Sequence, residues 1–132
     1  MTKEIEEFLK AQAFGVVGAS SDRSKYGNRV LRCYQEHGLK AVPVNPGEKE
    51  IEGTPCFASV ADLPDDVTSI SVITPPQVTE QIVEQAAKKG IRNVWMQPGA
   101  ESPRAVSFCR QHGINVIADG SCILVVLGYR EH

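Results

Sequence analysis

Short runs of consecutive apolar residues alternate along this chain with stretches in which apolar residues recur at spacings of three and four, the patterns of buried strands and amphipathic helices. Ile5, Phe8 and Leu9 share one face of a first helix that Thr2 can cap, and this helix is expected to act as a lid carrying no site. Phe14, Val16 and Val17 predict a strand that stops at Gly18. A polar loop, Ala19 to Lys25, then leads into a helix over about Tyr26 to His37 with Val30, Leu31 and Tyr34 turned inward. Further strands are expected at about Lys40 to Val44, Ser69 to Ile73, Asn93 to Met96 and Val116 to Ala118. Between them, Glu50 to Cys56 reads as a short edge segment and Ser59 to Leu63 as one capped helical turn before Pro64. Thr74-Pro75-Pro76 ends a strand and opens a helix whose buried stripe is Val78, Ile82, Val83, Ala86 and Ala87. Ser102 and Pro103 supply the N-cap and first position of another helix, carrying Ala105, Val106, Phe108 and Cys109. The apolar tail from Ile123 to Leu127 fits either an edge strand or a packed extension.

One motif recurs and sets the architecture. HGLKAVPV from His37, KGIRNVWM from Lys89 and HGINVIAD from His112 each read as a helix stop feeding a strand. Gly38, Gly90 and Gly113 suit the left-handed residue after a helix, and Leu39, Ile91 and Ile114 supply its apolar contact. His37 and His112 stand where an imidazole complements exposed carbonyls, so helix capping suits them better than catalysis. Helices alternating with strands imply an α/β fold with a parallel sheet. The loops 18 to 27, 45 to 49, 74 to 76, 97 to 101 and 119 to 122 all follow strands, and in a parallel sheet they share the edge where such folds bind ligands.

The first of these loops is the candidate phosphate site, because strand, glycine turn and helix aim backbone N–H groups at one spot. The dinucleotide fingerprint G-x-G-x-x-G fails here, since Ser20 occupies the second glycine's place and the next glycine is Gly27. Ser20, Ser21, Ser24 and Lys25 can still donate to phosphate oxygens. The other reading is that Gly18 only permits a tight turn and the serines are solvated.

Composition narrows the partners. A chain of 132 residues is expected to form one domain, 1 to 132. A net charge of -2 without a Lys/Arg run argues against nucleic acid. No signal peptide is recognisable and no run approaches the ~20 apolar residues of a membrane span, so no membrane association and a cytoplasmic location are expected. Cys33, Cys56, Cys109 and Cys122 form no C-x-x-C pair, which leaves no metal site and suggests reduced thiols.

The loop GASSDRSKYGNRV from Gly18, the turn VNPGEKEIEG from Val44, VITPP from Val72 and VWMQPG from Val94 together resemble the small single-domain CoA-binding proteins. These in turn resemble the CoA-binding domain of the succinyl-CoA synthetase α subunit. The resemblance implies a Rossmann-like three-layer αβα domain with a mainly parallel five- or six-stranded sheet, holding coenzyme A or an acyl-CoA along its carboxyl edge. It places Gly18, Ser20, Ser21, Lys25, Tyr26 and Gly27 around the pyrophosphate and Asn45, Pro46 and Lys49 near the adenosine and its 3′-phosphate. Thr74, Pro75 and Pro76 would form a wall, with Gln97 and Pro98 facing the ligand further along. Lys49, flanked by Glu48 and Glu50, fits a solvated side chain as well. Cys122, on the last ligand-side loop, fits either an inert thiol or a sulfur that meets the CoA thiol. The synthetase also has a second domain with a phosphorylated histidine, for which a chain ending at His132 leaves no room, so ligase chemistry is not expected. The synthetase's glycine loop is shorter too.

No G-x-S-x-G elbow, metal-spaced histidine cluster or carboxylate pair indicates catalysis, and Asp119 alone on the ligand edge reads equally as a turn residue. The favoured expectation is a non-catalytic CoA or acyl-CoA binding or sensing module, with a small-molecule nucleotide as partner and a monomer or small homo-oligomer as its state. Any protein partner is left open. An NAD(P)-binding oxidoreductase or redox sensor is the alternative, and it would want an acidic residue where Asn45 stands.

Overall fold

A computed structural model describes residues 1–130 of the chain; Glu131 and His132 lie outside the described residues. The elements follow in the order α1 (Lys3–Leu9), β1 (Ala13–Val17), α2 (Tyr26–Glu36), β2 (Ala41–Val44), β3 (Glu50–Ile51), β4 (Thr54–Pro55), a 3-10 turn at Val60–Asp62, β5 (Val67–Val72), α3 (Pro76–Lys89), β6 (Asn93–Met96), α4 (Pro103–Gln111), β7 (Asn115–Ile117) and α5 (Ile123–Leu127). The recurrent glycine stops end α2, α3 and α4 in one way: the N–H groups of Leu39, Ile91 and Ile114 reach back to the carbonyls of Tyr34, Ala86 and Cys109 at 3.0, 3.0 and 2.9 Å. His37 and His112 turn Nδ1 to the carbonyls of Cys33 and Phe108, each at 2.9 Å, so both imidazoles sit against helix ends.

Five strands form one parallel sheet in the order β2-β1-β5-β6-β7. The chain starts near the middle, steps out to β2, then crosses back to β5 on the far side of β1. Strand alternation splits the core into two layers. Ile70, Val72, Val94 and Met96 face Ile82, Val83 and Ala86 of α3 and Ala105 and Cys109 of α4. Phe14, Val16 and Trp95 face Phe8 of α1, Leu31 and Tyr34 of α2 and Ile123 of α5. The fold is therefore a Rossmann-like αβα sandwich. Ser69 and Ser71 point into the second layer without penalty, because Ser69 donates to the Phe8 carbonyl at 2.8 Å and Ser71 pairs with the Tyr34 hydroxyl at 2.7 Å.

The pattern and the structure part at a few places. The third major strand begins at Val67 rather than Ser69, pairing with Ala13 ahead of a register shift. Val78 is exposed at 39%, and Thr79 takes its place on the buried stripe of α3, where its hydroxyl meets that of Thr74 at 2.8 Å. The last strand spans Asn115–Ile117, one residue earlier than its apolar pattern, because Asn115 already pairs with Asn93. Glu50 to Cys56 adds nothing to the main sheet; β3 and β4 form their own antiparallel hairpin. Of the two forms open to the tail, the structure takes a packed one: α5 is a short helix with Ile123 fully buried and Val125 exposed. The chain turns at Gly120 (φ 87°), and the Ile123 N–H then donates to Gln97 Oε1 at 3.0 Å, which carries the tail over α2 instead of along the sheet edge.

Candidate functional site at the switch of the sheet

Strand order reverses between β1 and β5, and the carboxyl ends of these two strands diverge there, which is where open α/β sheets form their ligand crevice. The chain packs tightly at this point. Gly18 adopts φ 95°, and a Cβ added to it would stand 2.1 Å from the Ile73 carbonyl oxygen. A Cβ on Gly27 would stand 2.2 Å from the Gly18 carbonyl oxygen. Both glycines are thus required sterically, one to pass the sheet and one to let the first turn of α2 seat beneath the loop. Lys25 precedes that helix with no side-chain capping bond, so its side chain satisfies none of the N–H groups of the first turn.

A cleft of about 410 Å³ lies there, and six of its lining residues are Gly18, Ser20, Lys25, Tyr26, Gly27 and Asn45, all of them candidates from the sequence; Ala19 and Ile73 complete it. A neighbouring cleft of about 270 Å³ is lined by Thr74, Pro75 and Pro98 together with Ile73, Gly99 and Ala100. Ile73 borders both, so the two clefts adjoin as a groove in two parts along the carboxyl edge. A larger cavity of about 490 Å³ runs beside β7, three strands from β1 and away from the glycine loop.

The remaining candidates stand outside these linings. Ser21 donates its hydroxyl to Glu48 Oε1 at 2.8 Å, while Pro46, Lys49 and Pro76 are exposed on the rims of their loops. Gln97 is fully buried under the groove and does not open onto it. Its Oε1 accepts from the Ile123 N–H at 3.0 Å and from the Tyr26 hydroxyl at 2.9 Å, and because a backbone N–H only donates, the amide orientation is settled. Gln97 Nε2 is left without a partner. Tyr26 Oη also lies 2.8 Å from Cys122 Sγ, which makes a chain Cys122–Tyr26–Gln97. Burial first, and the Cys122 contact second, push the Tyr26 hydroxyl well above the ordinary phenol range, so it stays protonated and donates.

Two asparagines hold the loop from outside. Asn45 donates Nδ2 to the Ala19 carbonyl at 2.8 Å while its own oxygen accepts from the Gly47 N–H at 2.7 Å. Asn28, fully buried, donates Nδ2 to the Ser20 carbonyl at 2.9 Å and accepts from Arg32 Nε at 2.7 Å. Successive carbonyls that would oppose an anion are therefore capped by amides. The sequence pattern does not single out Asn28, Glu48 or Glu52; its one visible trace is that Asn28 and Arg32 sit four apart on the inward face of a helix. The exposed Asp22 is held below the usual carboxylate range by the Ser24 hydroxyl and N–H, which stiffens the loop's tip. Among the described residues no group of His, Cys, Asp and Glu could hold a metal ion, and no helix is long and apolar enough to cross a membrane.

A parallel sheet covered by helices on both faces, with a glycine loop at its switch point, defines a Rossmann-like α/β class of domain. Within that class, the chain belongs to the CoA binding domain family, which it matches over residues 12–128. It is 27% identical over 124 residues to the alpha subunit of ADP-forming acetate–CoA ligase II from Pyrococcus furiosus, covering 86% of this chain and 27% of that one. Across the curated ligases it matches, the chain spans 13% to 27% of their length. A conserved hypothetical protein of P. furiosus superposes with a TM-score of 0.83 at 39% identity, covering 87% of this chain and 98% of its own. The dinucleotide forming acetyl-coenzyme A synthetase 1 of Ca. Korarchaeum cryptofilum superposes with a TM-score of 0.73 at 26% identity, over 83% of this chain and 26% of that one.

Proposed function

We propose that this chain binds coenzyme A or an acyl-CoA in the groove along the carboxyl edge and acts as a non-catalytic binding or sensing module. The observation that carries the reading is the seating of α2 beneath the loop, with Gly18 and Gly27 each in a position that a side chain would block and no side chain capping the helix. A diphosphate fits there: helix dipole and N–H groups face it, and the Lys25 ammonium stands on the rim. Further along, Thr74, Pro75 and Pro98 offer a mostly apolar wall to a pantetheine arm. Gln97, buried beneath this wall, holds the Tyr26 hydroxyl at 2.9 Å rather than meeting the arm itself. In this reading Ser21 and Lys49 reach the ligand from the rims, and Cys122 stands at its thiol end behind Tyr26. The NAD(P) alternative is less well served, since Asn45 stands where its acidic anchor is wanted, both ends of that amide are engaged within the protein, and the Glu48 carboxylate further along the loop is taken by the Ser21 hydroxyl.

Calorimetric titration with CoA, acetyl-CoA and NADH tests the reading. Saturable heat with CoA and weaker or no heat with NADH is expected; silence at millimolar CoA, or tighter binding of NADH, sinks it. The Cys122 contact is tested with the symmetrical disulfide of CoA. Thiolate attack forms a protein–CoA disulfide and releases one CoA thiol, leaving a CoA-sized mass increase on the protein. That increase is expected on wild type and lost in Cys122→Ser; its persistence in the variant removes Cys122 from the site.

A further inference from the structure

Glu52 is the one non-glycine residue at positive φ among the described residues, at 49°, and it forms the turn of the β3–β4 hairpin with Gly53 at φ 75°. Such a turn is relieved by glycine or asparagine at its first position, so a glutamate retained there against that preference points to a task for its side chain. Its Oε2 accepts from Asn28 Nδ2 at 3.1 Å, the same amide nitrogen that donates to the Ser20 carbonyl at 2.9 Å. It also faces Arg23 Nε at 3.6 Å, and the Arg23 carbonyl in turn accepts from the Arg32 guanidinium at 3.0 Å. The hairpin is itself tied to α2, because Gln35 Nε2 donates to the Glu52 carbonyl at 3.3 Å and to Thr54 Oγ1 at 3.2 Å. Among the described residues, the hydrogen bonds that link Glu52 to the groove lining run by way of Asn28 to the Ser20 carbonyl.

We infer that Glu52 is a positioning residue for the phosphate loop: from a hairpin outside the groove it fixes the Asn28 amide, and Asn28 fixes the Ser20 carbonyl and with it the path of residues 19 to 25. The inference rests on the CoA reading for its effect on affinity. The Asn28 contact bears the load rather than the ion pair, since Arg23 is 64% exposed in its side chain and a solvated pair of that kind contributes little. Asn28 is fully buried and its amide has two N–H donors, one for each acceptor, so loss of the Glu52 carboxylate leaves a buried donor unpaired and loosens the amide that holds the Ser20 carbonyl. A loop held before the ligand arrives loses less freedom on binding, and affinity rises accordingly.

The test compares wild type with Glu52→Gly and Glu52→Gln in three readouts: thermal unfolding, amide hydrogen exchange of residues 19 to 25 in the ligand-free protein, and CoA affinity. Glu52→Gly relieves the backbone at φ 49° while removing the carboxylate. It is expected to unfold no earlier than wild type, to exchange faster over residues 19 to 25, and to bind CoA about tenfold more weakly, equivalent to about 1.4 kcal/mol. Glu52→Gln keeps an oxygen for Asn28 and is expected to restore both exchange and affinity. Unchanged exchange over 19 to 25 in Glu52→Gly overturns the inference, as does unchanged affinity in a wild type that binds CoA. Failure of Glu52→Gln to restore exchange also overturns it, by assigning the effect to charge. If wild type does not bind CoA, the functional reading falls, and the exchange comparison still decides whether Glu52 positions the loop.

Discussion

Gly27 and Gly18 meet backbone to backbone, and that contact decides what either residue can be. A methyl group on Gly27 would lie 2.2 Å from the Gly18 carbonyl oxygen and 3.2 Å from the Ala19 Cα, both main-chain atoms that cannot rotate aside as a side chain would. Gly27→Ala is therefore expected to push the loop off the start of α2, at a cost of about 1–3 kcal/mol in unfolding free energy. The same shift would open the helix end and weaken CoA binding by more than tenfold, on the order of 1.4 kcal/mol or above. Urea unfolding and calorimetry of the one variant check both; a Gly27→Ala protein with wild-type stability and affinity would show that the loop accommodates the methyl. The contrast is Gly99, where an added Cβ meets nothing within 4 Å and only the φ of 99° resists it.

Among the elements, α1 does what its apolar face suggests and closes the sheet away from the ligand edge. Phe8 is fully buried, with its ring 5.5 Å from Phe14 and 5.3 Å from Trp95, edge-on to the latter. The helix is pinned at both ends of this contact by side chains of the sheet, Ser69 to the Phe8 carbonyl and Asn115 to the Glu4 carbonyl at 2.9 Å. Phe8→Ala should cost about 3–5 kcal/mol, as large aromatic truncations in a packed core do. Because Trp95 is the single tryptophan, its fluorescence reads the loss directly, with a red-shifted native spectrum and a lower urea midpoint expected. A loss below about 1 kcal/mol would mean that α1 is dispensable to the core. CoA affinity should hardly change, since α1 contributes nothing to the groove.

For the molecule as a whole, the core carries thiols whose burial links folding to pH. Desolvation, with Glu36 adding to it, lifts Cys33 from 9.0 to about 11, and desolvation alone lifts Cys109 from 9.0 to about 11. Between those limits the unfolded chain releases protons that the folded chain keeps, so the native state binds more protons and stability falls as pH rises. The Tyr34 hydroxyl, raised chiefly by burial, pulls the same way above its ordinary value of 10.0. Urea midpoints are expected to be flat from pH 7 to about 8.5 and to decline from about 9 toward 11. Replacing both cysteines by alanine should flatten the decline between 9 and 10, whatever it does to stability at pH 7. An equal slope in the double variant would assign the effect elsewhere.

Order and type of the elements up to the last strand belong to the sequence alone. Each helix stop at Gly38, Gly90 and Gly113, the strand that ends at Gly18 and the proline start of α3 depend on residues within a few positions of one another, and local periodicity records such relations. From them followed the parallel sheet and its carboxyl edge, whereas the individual candidates near Gly18 and Thr74 came from the resemblance to CoA-binding proteins. The tertiary structure decided what lies across the chain: Tyr26 with Gln97, 71 positions apart, and with Cys122, 96 apart, and Asn28 with Glu52, 24 apart. It buried Gln97, turned the tail into a helix and enlisted a hairpin behind the loop. The physical reason is that periodicity specifies which face of an element is apolar, whereas a polar side chain's partner depends on the rotation and register at which distant elements pack, and those are set only once the two core layers close.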